Sequence, residues 1–291
     1  MASRRIGRGA FVLVAGTCGL LFPALGFVDV YPFRYAFVAD HFAYHALAPA
    51  ALGVGVLLAG RHQGPGRLVL ALIVLGTGGA LSFERARVFR GPESLWADTL
   101  RQNPASGLAR NNLGVRRLNE GRLEEARALF ERSLPSGLDR DRTERHLAIV
   151  HAQAGRLVLA RSYAETACRL RPDDPETWVT LASVLIDGGA PRDAMSRLER
   201  ACALAPEHAL GHEKAALAHW RLGDLPRARD HVRRATASDP LSATAWNLRG
   251  LLARQAGEDH AGRDAFRRAV AAAPERWDLR LNLAQAFLAV G

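Results

Sequence analysis

Lysine is nearly missing from this chain. Lys214 stands alone among 39 basic residues, the rest being arginine. The pI of about 10.7 therefore reflects an arginine-for-lysine habit, as in a GC-rich genome. Cysteine is equally sparse. Cys18 falls in an apolar run, and no C-x-x-C or Cys/His array exists to support redox chemistry or structural zinc. A concentrated basic stripe is also missing. Residues 1–90 hold nine arginines against three acidic residues, more than half of the net charge of +10. The remaining two thirds are only mildly basic, which excludes a nucleic-acid partner.

What the chain does have is a comb of glycines. Gly121, Gly155, Gly189, Gly223, Gly257 and Gly291 recur at one constant spacing, a period of about 34 residues. Ala126, Ala160, Ala194 and Ala228 keep the same period, with Gly262 in the fifth place. Ala167, Ala201, Ala235 and Ala269 form another column, and Pro172, Pro206, Pro240 and Pro274 a further one. A glycine suits a sharp helix-to-helix turn that needs φ > 0. Small alanines suit close helix approach, and proline suits a helix boundary. Leu113, Phe130, Leu147, Trp178, Leu181, Leu185, Leu198, Trp246, Phe266 and Leu283 fill the remaining seams. Cys168 and Cys202 stand one period apart, at equivalent positions of successive units, and do not meet disulfide geometry.

These columns resemble the tetratricopeptide repeat (TPR), a 34-residue helix–turn–helix unit. "TWVTLASVLIDGGAPRDAMSRLERACALAP" and "AWNLRGLLARQAGEDHAGRDAFRRAVAAAP" carry the pattern most completely. The expected fold is all-α. Five full repeats span 107–140, 141–174, 175–208, 209–242 and 243–276, with half repeats on either side, so that residues 91–291 form an α-solenoid. The last helix would leave Leu281, Leu283 and Phe287 partly uncovered, as in a truncated product.

The first ninety residues read as a membrane segment. Uncharged runs cover 9–28, 43–60 and 68–83, near the length a bilayer core requires. A cleavable signal peptide competes for the first run, but "FPALGFVDV" offers a poor cleavage site. Arg4, Arg5, Arg8, Arg61 and Arg67 occupy stretches without acidic residues, which places them inside and the repeats outside the cytoplasm. Arg85, Arg87 and Arg90, after the third run, oppose that orientation. The expected location is multi-pass, in a bacterial inner membrane, with the repeats extracytoplasmic.

The loop "YPFRYAFVADHFAYHALAPAALG" resembles a segment of transmembrane-and-TPR protein O-mannosyltransferases and their bacterial relatives. Arg34, Phe37, Val38, Ala39, Asp40, His41, Phe42 and Tyr44 match, and "HALAPAA" departs from the family's continuation. The resemblance covers the end of that family's membrane body and its repeats. The family's catalytic acids lie in an earlier loop, so no catalytic residue carries over. Asp40 and His41 are adjacent and diverge on any regular backbone; with Arg34 and Tyr44 they read as an interfacial loop motif, or as the remnant of a donor-lipid site. His208 and His212, at i and i+4, read as surface histidines rather than metal ligands. Neither metal nor cofactor is expected.

In the TPR register, groove-facing side chains come mainly from positions 2, 5, 9, 12 and 13 of each first helix. They include Asn111, Asn119, Arg145, Gln153, Glu213, Trp220, Arg221, Asn247, Arg254 and Gln255. This mixture suits an extended peptide, its backbone paired to amides. A lysine-based carboxylate clamp is excluded by Lys214 being alone. The reading is a membrane-anchored scaffold that binds a polypeptide and contacts lipid, the non-catalytic end of a glycosyltransferase-like protein. Alternatives are an active O-glycosyltransferase, alone or with a separate catalytic half, and a cytoplasmic docking protein.

Overall fold

The computed structural model describes residues 90–137 and 139–290, with isolated positions between 66 and 88. Arg34, Asp40, His41, Tyr44 and the first two apolar runs lie outside the described residues. Of the third run, positions 69, 73, 76, 80 and 83 are described; they are helical and exposed. No described helix is long and apolar enough to cross a membrane.

Twelve α-helices and no strands occur among the described residues from Gly91 onward. They are α1 (Pro92–Gln102), α2 (Gly107–Asn119), α3 (Leu123–Ser133), α4 (Arg140–Gln153), α5 (Leu157–Leu170) and α6 (Pro175–Asp187). Next come α7 (Pro191–Leu204), α8 (Ala209–Arg221), α9 (Leu225–Ser238), α10 (Ala243–Gln255), α11 (Asp259–Ala272) and α12 (Trp277–Val290). The chain divides into two compact units, residues 1–113 and 114–291. The second is a stack of helix pairs, with A helices α4, α6, α8 and α10 each followed by a B helix.

Each A-to-B turn is built the same way. Gly121, Gly155, Gly189, Gly223 and Gly257 all have φ between 73° and 81°. The residue after each glycine donates its N–H five residues back: Arg122 to Arg117, Arg156 to His151, Ala190 to Leu185, Asp224 to His219 and Glu258 to Ala253, at 2.8–2.9 Å. This is the Schellman closure, and it satisfies carbonyls that the ending helix would leave bare. At the B-to-A turns, Pro172, Pro206, Pro240 and Pro274 sit outside the helices, where their missing N–H costs nothing.

The alanine columns are the contact lines of the stack. Ala126, Ala160, Ala194, Ala228, Ala167, Ala201, Ala235 and Ala269 are all fully buried. A second size rule links one A-helix position to one B-helix position in each pair. Gly114 faces Phe130 and Gly250 faces Phe266; a Cβ on either glycine would stand 2.6 Å from the ring. The middle pairs combine Ala148 with Ala164, Ala182 with Leu198 and Ala216 with Val232, all buried. Glycine appears where the facing residue is phenylalanine, and alanine where it is smaller, so the interhelical space stays filled without overlap.

Successive A helices touch one another, from α4 through α6, α8 and α10 to α12, whereas the backbones of successive B helices stand apart among the described residues. A helices therefore form a continuous inner face. Between neighbouring B helices open outer clefts, each floored by the next A helix. On α12, Leu281 and Phe287 are about half exposed; Arg263 and Arg267 lie over the Phe287 ring.

Candidate functional site

On the inner face, α4, α6 and α8 enclose a groove of about 350 Å³. Ile149, Val179, Val184 and Leu210 supply an apolar strip. Arg145, Gln153, Glu176, Ser183, Asp187 and Lys214 stand along it. Charges of both signs are held in place by neighbours. His208 Nδ1 accepts the Gly211 N–H at 2.9 Å, capping α8, so in the neutral ring Nε2 carries the proton and donates to Glu176 Oε1 at 2.9 Å. That hydrogen bond, aided by Arg145 at 3.7 Å, holds the Glu176 carboxyl below its usual range despite partial burial. Arg145 keeps its buried Nε without a hydrogen-bond partner, and Lys214 reaches Glu213 at 3.1 Å.

A different chemistry occupies the outer cleft between α7 and α9 over α8, about 840 Å³ in volume. His212 is buried, which corrects the expectation of a surface residue. The reason is its register. Trp178 Nε1 donates to the Pro172 carbonyl at 3.0 Å and Trp246 Nε1 to the Pro240 carbonyl at 2.9 Å. His212, one period from each, places Nε2 2.8 Å from the Pro206 carbonyl. A carbonyl only accepts, so Nε2 is the donor and Nδ1 of the neutral ring must accept. Its donor is His231 Nδ1 at 3.0 Å. His231 stacks on His219, centroids 5.4 Å apart, and Cys202 Sγ lies 3.8 Å from His212 Nδ1. Burial first, and then the neighbouring His212 and His219, pull the His231 pKa down to about 4. Among the described residues no group of three or more His, Cys, Asp or Glu is placed to hold a metal ion. His208, the other histidine expected at the surface, is the α8 cap described above.

The tetratricopeptide-repeat family model matches residues 80–141, 179–240 and 213–276, more than half of the chain. The chain belongs to the tetratricopeptide-repeat family. No curated protein matches it. Among solved structures, TTC0263, a thermophilic TPR protein of Thermus thermophilus, is similar over 62% of this chain and 99% of its own, with 22% identity and a TM-score of 0.58. The APC/C hetero-tetramer Cut9–Hcn1 gives a TM-score of 0.59 at 15% identity, over 96% of this chain and 48% of that one. Both are likenesses of fold.

The TPR register and the 350 Å³ groove overlap only in part. Only Arg145 and Gln153 of the ten expected residues line the 350 Å³ groove. Glu176, Ser183 and Asp187 occupy positions 2, 9 and 13 of the third repeat, so the same register could have found them; Lys214, at position 6, falls outside it. Most of the others bind the adjacent repeat. Trp220 Nε1 donates to Gln255 Oε1 at 2.6 Å and Asn282 Nδ2 to Asn247 Oδ1 at 2.8 Å. Arg254 reaches Gln285 at 3.3 Å, and Arg221 donates to the Ile186 carbonyl. Glu213 is buried and accepts from Ser242 at 3.2 Å. Asn119 is exposed and Asn111 buried. The inner face is thus stitched along its length; of the polar groups in the groove over α4, α6 and α8, Gln153 and Asp187 are exposed to solvent.

Proposed function

We propose that this TPR protein is a non-catalytic scaffold that holds an extended polypeptide across α4, α6 and α8. The observation that carries the reading is the groove itself: Ile149 and Leu210 supply apolar edges over a floor of buried Val179 and Val184, and the exposed Gln153 and Asp187 flank them. An extended strand would lay alternate side chains on the strip and offer carbonyls to Arg145 and Lys214. Uncharged runs at 9–28, 43–60 and 68–83 support anchoring in a bilayer, with the repeats extracytoplasmic. The loop from Tyr31 to Gly53 supports kinship with the C-terminal part of membrane O-mannosyltransferases; in that setting the groove would hold substrate or partner polypeptides.

The test is binding of an unstructured peptide library to the full chain in detergent. Arg145→Ala and Leu210→Asp, the latter at an exposed position of the groove, should each weaken the selected peptides at least fivefold. Equal binding by both variants would refute the groove. Sugar transfer from a lipid-linked donor by the purified chain would refute the non-catalytic reading. Protease added to intact spheroplasts should cut the repeats; protection until permeabilisation would instead favour a cytoplasmic docking protein.

A further inference from the structure

The outer cleft between α9 and α11, floored by α10, has a volume of about 480 Å³ and four arginines in its wall: Arg229, Arg233, Arg249 and Arg268. Two of them are neutralised, Arg229 by Glu258 and Arg233 by Asp230, each at 2.7 Å. The other two are held differently. The guanidinium carbons of Arg249 and Arg268 lie 5.0 and 4.6 Å from the centroid of the Trp246 ring. Arg249 also donates to the neutral Thr236 hydroxyl at 3.2 Å. Neither has a carboxylate within ion-pair distance among the described residues. A guanidinium stacked on an aromatic ring is oriented without consuming its N–H fork. Trp246 is itself fixed by its bond to the Pro240 carbonyl.

The repeat provides an internal control. The column containing Arg233 reads Glu131, Glu165, Glu199, Arg233 and Arg267 along the chain. In the first two of these repeats the glutamate neutralises an arginine four residues earlier, Arg127 at 2.7 Å and Arg161 at 2.8 Å. At Arg233 the sign is reversed. The Arg249 column reads Leu113, Leu147, Leu181 and Ala215 before turning to arginine. Leu113, Leu147, Leu181 and Ala215 are buried core residues, whereas Arg249 is exposed, so this column turns from packing to charge at the cleft.

We infer that this outer cleft is a docking site for an acidic peptide segment, separate from the inner groove. Two unneutralised forks, from Arg249 and Arg268, fit two carboxylates. Buried Val232, Leu252 and Ala265 close the floor of the cleft beneath the two forks. A cleft of this shape admits side chains, whereas an anionic bilayer presents a flat face.

The experiment uses the full chain and a fluorescein-labelled peptide of sequence Gly-Glu-Leu-Glu-Asp-Leu-Glu-Gly, read by anisotropy. Binding should weaken at least tenfold in Arg249→Glu/Arg268→Glu and fall with added salt, while Arg145→Ala leaves it within twofold. Equal binding by the double variant overturns the site. So does equal binding of the Gln/Asn version of the peptide, or loss of binding in Arg145→Ala, which would move the peptide to the inner groove. Binding of phosphatidylglycerol vesicles without binding of the peptide also overturns it. If the charge reversal lowers the melting temperature, Arg249→Gln/Arg268→Gln takes its place under the same criteria. Failure here leaves the library result at the inner groove standing.

Discussion

Two neighbouring outer clefts share one backbone plan and differ in almost every lining group. Between α7 and α9 stand Met195, Glu199, Ala215, His219 and His231; one period later, between α9 and α11, stand Arg229, Arg233, Arg249, Ala253 and Ala265. His212 in the first is replaced by Trp246 in the second, and both rings bond the carbonyl of the column proline six residues back. The columns that make turns and close contacts repeat; the positions between them are free to vary. A TPR cleft can therefore become a neutral imidazole cluster or an arginine cleft without altering the helix stack. The comparison also separates residues that specify the fold from residues that can specify a partner.

The largest effect should come from breaking a packing column rather than a cleft. Gly250→Ala places a Cβ where Phe266 now stands, 2.6 Å from the ring. Overpacking of this kind costs about 1–3 kcal/mol, measurable as a lower urea midpoint for the full chain. Ala216 faces Val232 without such a clash one repeat earlier, so Gly250→Ala/Phe266→Val should recover part of the loss. A double variant no better than the additive singles would refute the size rule.

Acid should distinguish the two clefts next. Burial lowers the pKa of His219 and, with His212 and His219 nearby, takes His231 from 6.5 to about 4. The unfolded chain then binds these protons more readily than the folded one. Stability is complete above pH 6.5 and is lost as pH falls from there toward 4. His146, also lowered to about 4 by burial and then by Arg145 and Arg142, adds to the same limb. His219→Ala/His231→Ala copies Ala253 and Ala265 of the arginine cleft. It should flatten the limb without abolishing it, as read from urea midpoints at pH 7.5 and 4.5. An unchanged slope would remove the cluster as a cause.

How much of the molecule is legible in its sequence depends on whether a feature is periodic. The turn glycines, the buried alanines and the helix pairs all follow from the repeating comb. The Gly250–Phe266 rule is also present there, as two columns about half a period apart whose sizes vary inversely. Sequence alone misplaces His212 at the surface because its nearest histidine along the chain is His208, whereas its actual partner His231 comes from another helix. Trp178 and Trp246 at the same register are the signal for its burial. The register names Arg145 and Gln153 of the groove lining. Which inner-face side chains are already engaged is not legible, because those bonds join residues 29 to 35 positions apart and depend on the offset between stacked repeats.

A smaller loss is expected when one of those inner-face bonds is cut. Trp220→Phe removes the donor to Gln255, now at 2.6 Å. A net hydrogen bond is worth about 0.5–1.5 kcal/mol, and the exposed Gln255 can return to water, which favours the lower end. The urea midpoint should drop slightly while pH dependence stays as in the parent. A loss above the Gly250→Ala effect would mean that the inner stitching, not column packing, dominates stability.

The smallest effect should follow from adding charge to the histidine cleft. Glu199 is exposed and forms no ion pair among the described residues, so Glu199→Arg should change stability by less than about 0.5 kcal/mol. It places an arginine at the position equivalent to Arg233, beside Arg192 and Arg227. If net charge alone recruited an acidic peptide, this cleft would now bind one. The arginine cleft differs by having two guanidiniums oriented over Trp246 and without a carboxylate partner. Here His212 replaces the indole, Ala215 replaces Arg249, and Asp224 already pairs with Arg227 at 3.3 Å. Acidic-peptide affinity of the Glu199→Arg chain should therefore stay within twofold of the parent. A tenfold gain would show that preorganisation on the tryptophan contributes little, and that any basic outer cleft of this solenoid suffices.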